Sequence, residues 1–371
     1  MSWTQKNLGE IVNLKRGFDL PSSSRVDGPY PVFSSSGQTG THSEAAVKGP
    51  CVITGRYGTI GQVFYSDAAC WPLNTSLYST EFKGNNPRFV YYLLKTLPWR
   101  DYLTASAVPG INRNHVHLCP VCVPDYETQT AIADVLGLLD YKIDLNAKLN
   151  GYLEELAALE FSRRFGEIES SIDLGKVLSI STKTLKPQNC HGEIWEHYSI
   201  PAYDTNRRPV FELADGIKSN KYVIDANCIL ISKLNPSIKR IWMPVCSSKQ
   251  AVCSTEFIVY KPKNPVHKAF YYAAIGAPAF NDFLLAHVTG STGSRQRTQP
   301  KATLTYPMPS PGLEAVEDFC AFANPLYEQI KVNERNSTQL EELRDALLPK
   351  LMSGEIDVSE IDLTQLNSHL A

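Results

Sequence analysis

The segment TGSTGSRQR, Thr289 to Arg297, sets two arginines and a glutamine among two glycines and four hydroxyl side chains. Glycine lets a backbone come close to a partner. Arginine and glutamine are forked hydrogen-bonding groups that match guanine and adenine edges. Such a segment is either a plain flexible surface loop or a reader of another molecule. Two features favour the reader. The loop lies within residues 283–313, which carry no Asp or Glu but hold Arg295, Arg297 and Lys301. It also has a positional counterpart, SAVPGINR ending at Arg113, inside another carboxylate-free stretch, 102–124, which holds His115 and His117 as well. Two more such stretches are 45–66, with Lys48 and Arg56, and 226–255, with Lys233, Lys239, Arg240 and Lys249. Long acid-free loops bearing arginine suit a phosphate-rich surface.

Motifs for bond-making chemistry are missing. The chain has no GxxxxGK[ST] phosphate loop, no GxSxG nucleophile elbow and no Asp/Asn-Pro-Pro-aromatic tetrapeptide of amino-methyltransferases. Carboxylates for a nuclease metal centre do not cluster in the basic regions. HVHLCPVCVP, from His115, imitates a metal site. Alternation on a strand would put His115, His117 and Cys119 on one face and Cys122 on the other. With no second Cys pair at zinc-ribbon spacing, a buried strand with small thiols is expected there and no metal.

The 371 residues suffice for two or three domains, and 43% hydrophobic with 20% charged residues is an ordinary soluble globular composition. MSWTQKNLGEIV lacks the basic-then-apolar plan of a signal peptide. No apolar run reaches the roughly 18 residues that span a membrane. Nine dispersed cysteines suit reduced thiols, and a cytoplasmic location is expected. The net charge of −2 conceals a strong asymmetry: residues 125–169 and 313–371 together carry −14, while 1–124 carry +4 and 170–312 carry +8. A basic footprint can hide beneath a neutral total.

These charges follow an internal repeat at about half the chain length. LGEIV at Leu8 returns as LGKVL at Leu174, CVITGRYG at Cys51 as CILISKLN at Cys228, and RFVYYLLKTLPWRDYL from Arg88 as KAFYYAAIGAPAFNDFL from Lys268. Each half opens with short β-branched and aromatic runs cut by Gly, Pro, Ser and Asn, which are strand and turn signatures. Short helices are expected near Phe89–Leu97 and His267–Ile275. Each half closes on a long helix. Apolar steps of three and four run from Thr128 to about Phe165, and from Leu313 to about Leu351, where Pro325 either kinks the helix or starts a new run. At about 1.5 Å per residue each spans roughly 55–60 Å, and each stripe is the other's natural partner. Asn146 and Asn333 interrupt the stripes at equivalent places, so an antiparallel pair would bring them together as a register-fixing polar pair, or leave them solvated at the seam's edge.

In combination these motifs resemble the specificity subunit of type I restriction-modification systems, over about residues 5–355. The first half carries YPVFSSSGQTGTHSEA from Tyr30 and ITGRYGTIGQVFY from Ile53. The second carries SKLNPSIKRIW, CSTEFIVY and GSTGSRQRTQP, similar to another variety of the same target recognition domain. PDYETQTAIA from Pro124 is similar to the PxxExQxxIA opening of the family's helix, and ELRDALLPKLMSGEI from Glu342 to its close. The second helix departs from the pattern, opening PSPGLEAVEDF without the glutamine. The resemblance implies an α+β fold in which two β-rich target recognition domains are separated by a pair of long antiparallel helices, with a pseudo-twofold internal repeat. The expected segments are a first recognition domain at 1–124, a long helix at 125–168, a second recognition domain at 169–312, a second long helix at 313–355 and a tail at 356–371. It further implies a non-catalytic subunit that reads a split, asymmetric site on double-stranded DNA, with the helices setting the separation of its halves. Two methyltransferase subunits and the restriction subunits would be its partners, with no membrane. No cofactor is expected on this chain; S-adenosylmethionine, ATP and Mg are expected on the partner subunits.

Side-chain chemistry nominates the DNA contacts. In the first half they are the turn Ser34, Ser35, Ser36, Gly37 and Gln38, then Arg56, Tyr57 and Thr59 of the glycine-rich loop, then Asn74, Asn112 and Arg113. In the second half they are Lys233, Asn235, Lys239 and Arg240, with Ser291, Thr292, Ser294, Arg295, Gln296 and Arg297. The competing readings are a plain β-turn for Ser34–Gln38 and a structural salt bridge for Arg56. Trp195 and Tyr203 are expected to pack in the core or against loops rather than stack on bases. Two other functions fit the same features: the recognition subunit of a related two-subunit restriction enzyme, and a helical-hairpin adaptor whose basic domains bind acidic proteins.

Overall fold

The structure is a computed structural model that describes residues 3–104, 109–169, 171–289 and 296–365. Its contacts divide the chain into two compact units, Met1–Asp144 with Ser337–Ala371, and Leu145–Asn336. Two long helices, α1 (Tyr126–Phe165) and α2 (Leu313–Ser353), are each shared between the units. The division thus falls inside both helices. α2 runs on through Pro325, which faces solvent. No helix among the described residues is long and apolar enough to cross a membrane.

Each unit is built on a four-stranded antiparallel sheet. In the first it comprises β1 (Asn13–Arg16), β2 (Cys51–Gly55), β3 (Val63–Ser66) and β4 (Ser76–Glu81), in the order β1-β4-β2-β3. In the second it comprises β5 (Leu178–Ser181), β6 (Ile229–Ser232), β7 (Ile241–Trp242) and β8 (Phe257–Pro262), in the order β5-β8-β6-β7. The two orders are the same path through the chain. β2 and β6 are buried at every position, as expected for apolar runs covered on both faces. The helix Pro87–Lys95 packs on β2 and β3; Asn86 caps it by accepting from the Arg88 and Phe89 amides, and Pro87 opens it. Lys268–Gly276 occupies the corresponding place in the chain. The repeat visible in the sequence is therefore a repeat of topology.

The units differ in what is added. The first carries a three-stranded sheet, Gly37–His42, Tyr30–Ser34 and Trp71–Pro72. The second carries a five-stranded one, in the order Thr184–Leu185, Lys221–Val223, Ala251–Ser254, Ile194–Tyr198 and Val210–Leu213. Trp195, on the Ile194–Tyr198 strand, is buried among Ala214, Ile217 and Val252, and Tyr203 packs edge-on to Trp242, so both serve packing. One local expectation fails. His115 lies in a short helix, Arg113–Val116, and only Pro120–Val123 forms a strand. Asn112 caps that helix by accepting from the Asn114 amide, which favours the turn over extended backbone. The His117 ring accepts from the Leu14 amide, and no group of three metal-binding side chains occurs among the described residues.

The long helices run antiparallel within each unit. In the first, Ile132, Leu136, Leu348 and Leu351 share one apolar core, and Asp140 accepts from Arg344 at 2.7 Å. In the second, Phe161 and Phe165 pack edge-on to Phe319. Asn146 and Asn333 do meet. Asn146 donates to the Asn333 carbonyl at 3.4 Å, while the buried Asn333 amide donates to Asn150 and accepts from Gln329, both at 2.8 Å.

Candidate nucleic-acid interface

In the first unit, strands Tyr30–Ser34 and Gly37–His42 form a hairpin whose tip is Ser35–Ser36. Gly37 has φ +107° and lies against the Phe64 ring, where a side chain would crowd it, so the tip is held against the main sheet. The Ser34 hydroxyl is spent inside the turn, accepting from the Ser36 amide. Ser36 and Gln38 are exposed, and Ser35 faces the glycine-rich loop that follows β2. The hairpin and that loop therefore form one surface. The turn is a β-turn, as the plainer reading had it, but one that presents Ser36 and Gln38 outward.

The glycine-rich loop begins where β2 ends. Arg56 and Tyr57 both donate their amides to the Thr75 carbonyl, and the Arg56 carbonyl receives the Ile111 amide at 2.9 Å. Gly110 pairs with Tyr57 so closely that a Cβ at Gly110 would lie 2.2 Å from the Tyr57 ring. This pairing draws Asn112 and Arg113 to the loop. The result is a cleft of about 340 Å³ lined by Arg16, Arg56, Tyr57, Thr104, Asn112, Arg113 and Asn114. The Arg56 guanidinium rests 4.6 Å over the Tyr57 ring. Arg113 reaches the Leu14 carbonyl at 3.4 Å. Among the described residues neither arginine has a carboxylate within salt-bridge distance, so Arg56 is not held by a structural ion pair. Thr59, within this loop, is partly buried and outside the cleft lining. Asn74 donates to Asp19, which also approaches Arg16 at 3.5 Å.

The second unit repeats the frame with other side chains. Gly55 pairs with Ser76 across β2 and β4, and Ser232 pairs with Phe257 across β6 and β8. Lys233 thus stands where Arg56 stands, and Glu256 where Thr75 stands; the Lys233 amide donates to the Glu256 carbonyl at 3.0 Å. Leu234 pairs with Arg297 as Tyr57 pairs with Gly110. TGSTGSRQR therefore joins two paired strands, since Thr289 pairs with Arg297 and Val288 with Thr298. Its topological position is that of SAVPGINR. Ser291, Thr292, Ser294 and Arg295 lie outside the described residues. Gln296 accepts the Asn235 amide through its carbonyl, and Asn235, at φ +48°, turns the chain.

Three cations of this unit depart from the expectation of free charge. Arg240 is buried and holds Asp204 through two hydrogen bonds of 2.6 and 2.8 Å, which commits its guanidinium inside the fold. Arg297, though exposed, grips Glu256 at 3.0 and 3.1 Å. Lys239 donates to the Gly276 carbonyl, and partial burial lowers its pKa. Asp204 lies outside the acid-free stretch 226–255 and Glu256 outside 283–313, but each binds an arginine of that stretch. Arg16 was missed for the opposite reason: it sits three residues from Asp19, and only the β1–β4 register, Arg16 opposite Leu77, carries it to the cleft.

Residues 1–155 match the family model described as Type I restriction modification DNA specificity domain. The chain is 26% identical over 318 residues to the Type I restriction enzyme MjaIX specificity subunit of Methanocaldococcus jannaschii, covering 74% of this chain and 70% of that one. It is 24% identical over 142 residues to the Type I restriction enzyme EcoprrI specificity subunit of Escherichia coli, covering 37% of this chain and 35% of that one. Among solved structures, the S subunit of the type I restriction-modification system of M. genitalium superposes with a TM-score of 0.56 at 16% identity, over 94% of this chain and 96% of the other. That last likeness is one of fold.

Proposed function

We propose that the chain is a specificity subunit of a type I restriction-modification system, supported by the family model over residues 1–155 and by its specificity-subunit relatives, and that it reads a split, asymmetric site on double-stranded DNA for catalytic subunits that do the chemistry. One observation carries this reading beyond the family. Two units of the same topology present loops at equivalent positions, furnished with unlike cationic and amide side chains. A shared frame with different furniture is what reading two different half-sites requires.

The chain itself is a non-catalytic scaffold in this reading. Two methyltransferase subunits and the restriction subunits join it, and S-adenosylmethionine, ATP and Mg belong to those partners. A row of apolar side chains on α1 supports a protein partner: Leu145, Leu149, Tyr152, Leu156 and Leu159 recur at helical spacing and are each at least 40% exposed. Stripes of this kind on a surface helix mark association sites.

Selection from a pool of randomised duplexes by the full chain tests the proposal. The expected outcome is one enriched motif with two unlike specified halves, and binding that weakens steeply with salt. Binding without sequence preference, in the presence of the methyltransferase subunit as well, would overturn it in favour of an adaptor for acidic proteins.

A further inference from the structure

We propose that the cleft of Arg16, Arg56 and Arg113 in the first unit is a phosphodiester clamp: it holds the DNA backbone and adds affinity without choosing sequence. The inference rests on the reading of this unit as DNA-binding and assigns its chemistry within it. Charged donors dominate the cleft, whose lining also holds the Asn114 carboxamide. Three guanidiniums line it, none of which accepts a hydrogen bond. The Asn112 side-chain oxygen is consumed by the Asn114 amide, which leaves that side chain its NH₂. Thr104 adds a hydroxyl to the lining. A base edge offers a mixed pattern of donors and acceptors, whereas phosphate oxygens only accept, and they carry the charge that guanidiniums match. The guanidinium of Arg56 is positioned by an aromatic face and that of Arg113 by a backbone carbonyl, so their charge is not neutralised by the groups that hold them.

The second unit supplies the contrast. At the position of Thr75 it has Glu256, which takes the Arg297 guanidinium in a two-bond ion pair. The corresponding place is there filled by the chain's own carboxylate. Among the described residues of the first unit no carboxylate pairs with Arg56 or Arg113, and Asp19 only approaches Arg16 at 3.5 Å with both side chains more than half exposed, so the three guanidiniums can still meet an external anion.

The test measures the full chain and its Arg16→Ala and Arg16→Lys variants on the selected duplex and on a scrambled one, across a salt series. Arg16→Ala is expected to bind roughly tenfold more weakly on both duplexes. Its plot of log affinity against log salt should be shallower by about one, and the enriched motif should be unchanged. Arg16→Lys should keep the wild-type salt slope, which also shows that the fold is intact. A changed motif would overturn the clamp and make Arg16 a base reader. Unchanged affinity on both duplexes would remove it from the interface. If the wild-type chain enriches no motif at all, it is the DNA-recognition reading that fails.

Discussion

Asn333 is the clearest case of a single residue whose worth depends on its neighbours. Its amide is buried, donates to Asn150 and accepts from Gln329. Asn333→Leu is expected to lower stability by roughly 1 kcal/mol, because Asn150 and Gln329 each lose a hydrogen bond that solvent replaces only in part; urea unfolding measures it. Glu334, the next residue, gives a pH dependence. Burial pushes its carboxyl up to about 7, with Glu154 adding to the shift and Arg207, Arg208 and Lys331 opposing it. The folded protein therefore holds this proton more tightly than the unfolded chain. Below about 4.5 both states are protonated and the group costs nothing; as pH rises from 4.5 to 7 the cost appears, and above 7 it is complete. Glu334→Gln should stabilise the protein above pH 7 by roughly 1–2 kcal/mol, reduced from the full linkage value by partial solvation, and have little effect below pH 4.5. Unfolding curves at the two extremes decide the sign.

At the scale of elements, the opening of α1 is latched. Gln129 is buried, accepts the Asn86 amide at 3.0 Å, and donates to the Asn85 side chain and the Pro124 carbonyl at 2.9 and 3.0 Å. One side chain thus ties the start of the long helix to the cap of the helix Pro87–Lys95. The equivalent position in α2 is Val316, which is buried among apolar neighbours instead. This accounts for the missing glutamine in PSPGLEAVEDF: the second unit fixes its helix by packing. Gln129→Leu is expected to cost roughly 2–3 kcal/mol. Amide exchange should accelerate first at Asn86–Phe89 and at the first turn of α1, and a uniform loss of protection along α1 would contradict the latch.

For the molecule as a whole, the unlike added sheets carry the consequence. The four-stranded frames match strand for strand, while a three-stranded sheet is added in one unit and a five-stranded sheet in the other. A target read by both must have two different halves. Gln38→Ala, on the exposed side of the first unit's hairpin, is expected to blur one half of the selected motif and leave the other intact. Blurring of both halves would mean that the units do not read separately.

Much of this architecture was legible in the residues. LGEIV against LGKVL, which fold as short helical turns, and CVITG against CILIS, which fold as buried strands, placed the repeat, because burial imposes apolar residues that survive in the sequence. The apolar steps along Ile132, Leu136 and Leu139 placed a long helix for the same reason. The sequence also determined where acids are scarce, but scarcity along the chain is not scarcity in space. Asp204 comes from outside one acid-free stretch to bind Arg240, and Glu256 from outside another to bind Arg297. Arg16, next to an acid in the chain, is carried by strand register into a cleft with Arg56 and Arg113. Periodicity reports the face a residue turns toward its own element, and the sequence determines that alone. Which charges neutralise one another depends on distances of a few ångströms between distant segments, and only the tertiary structure decides those.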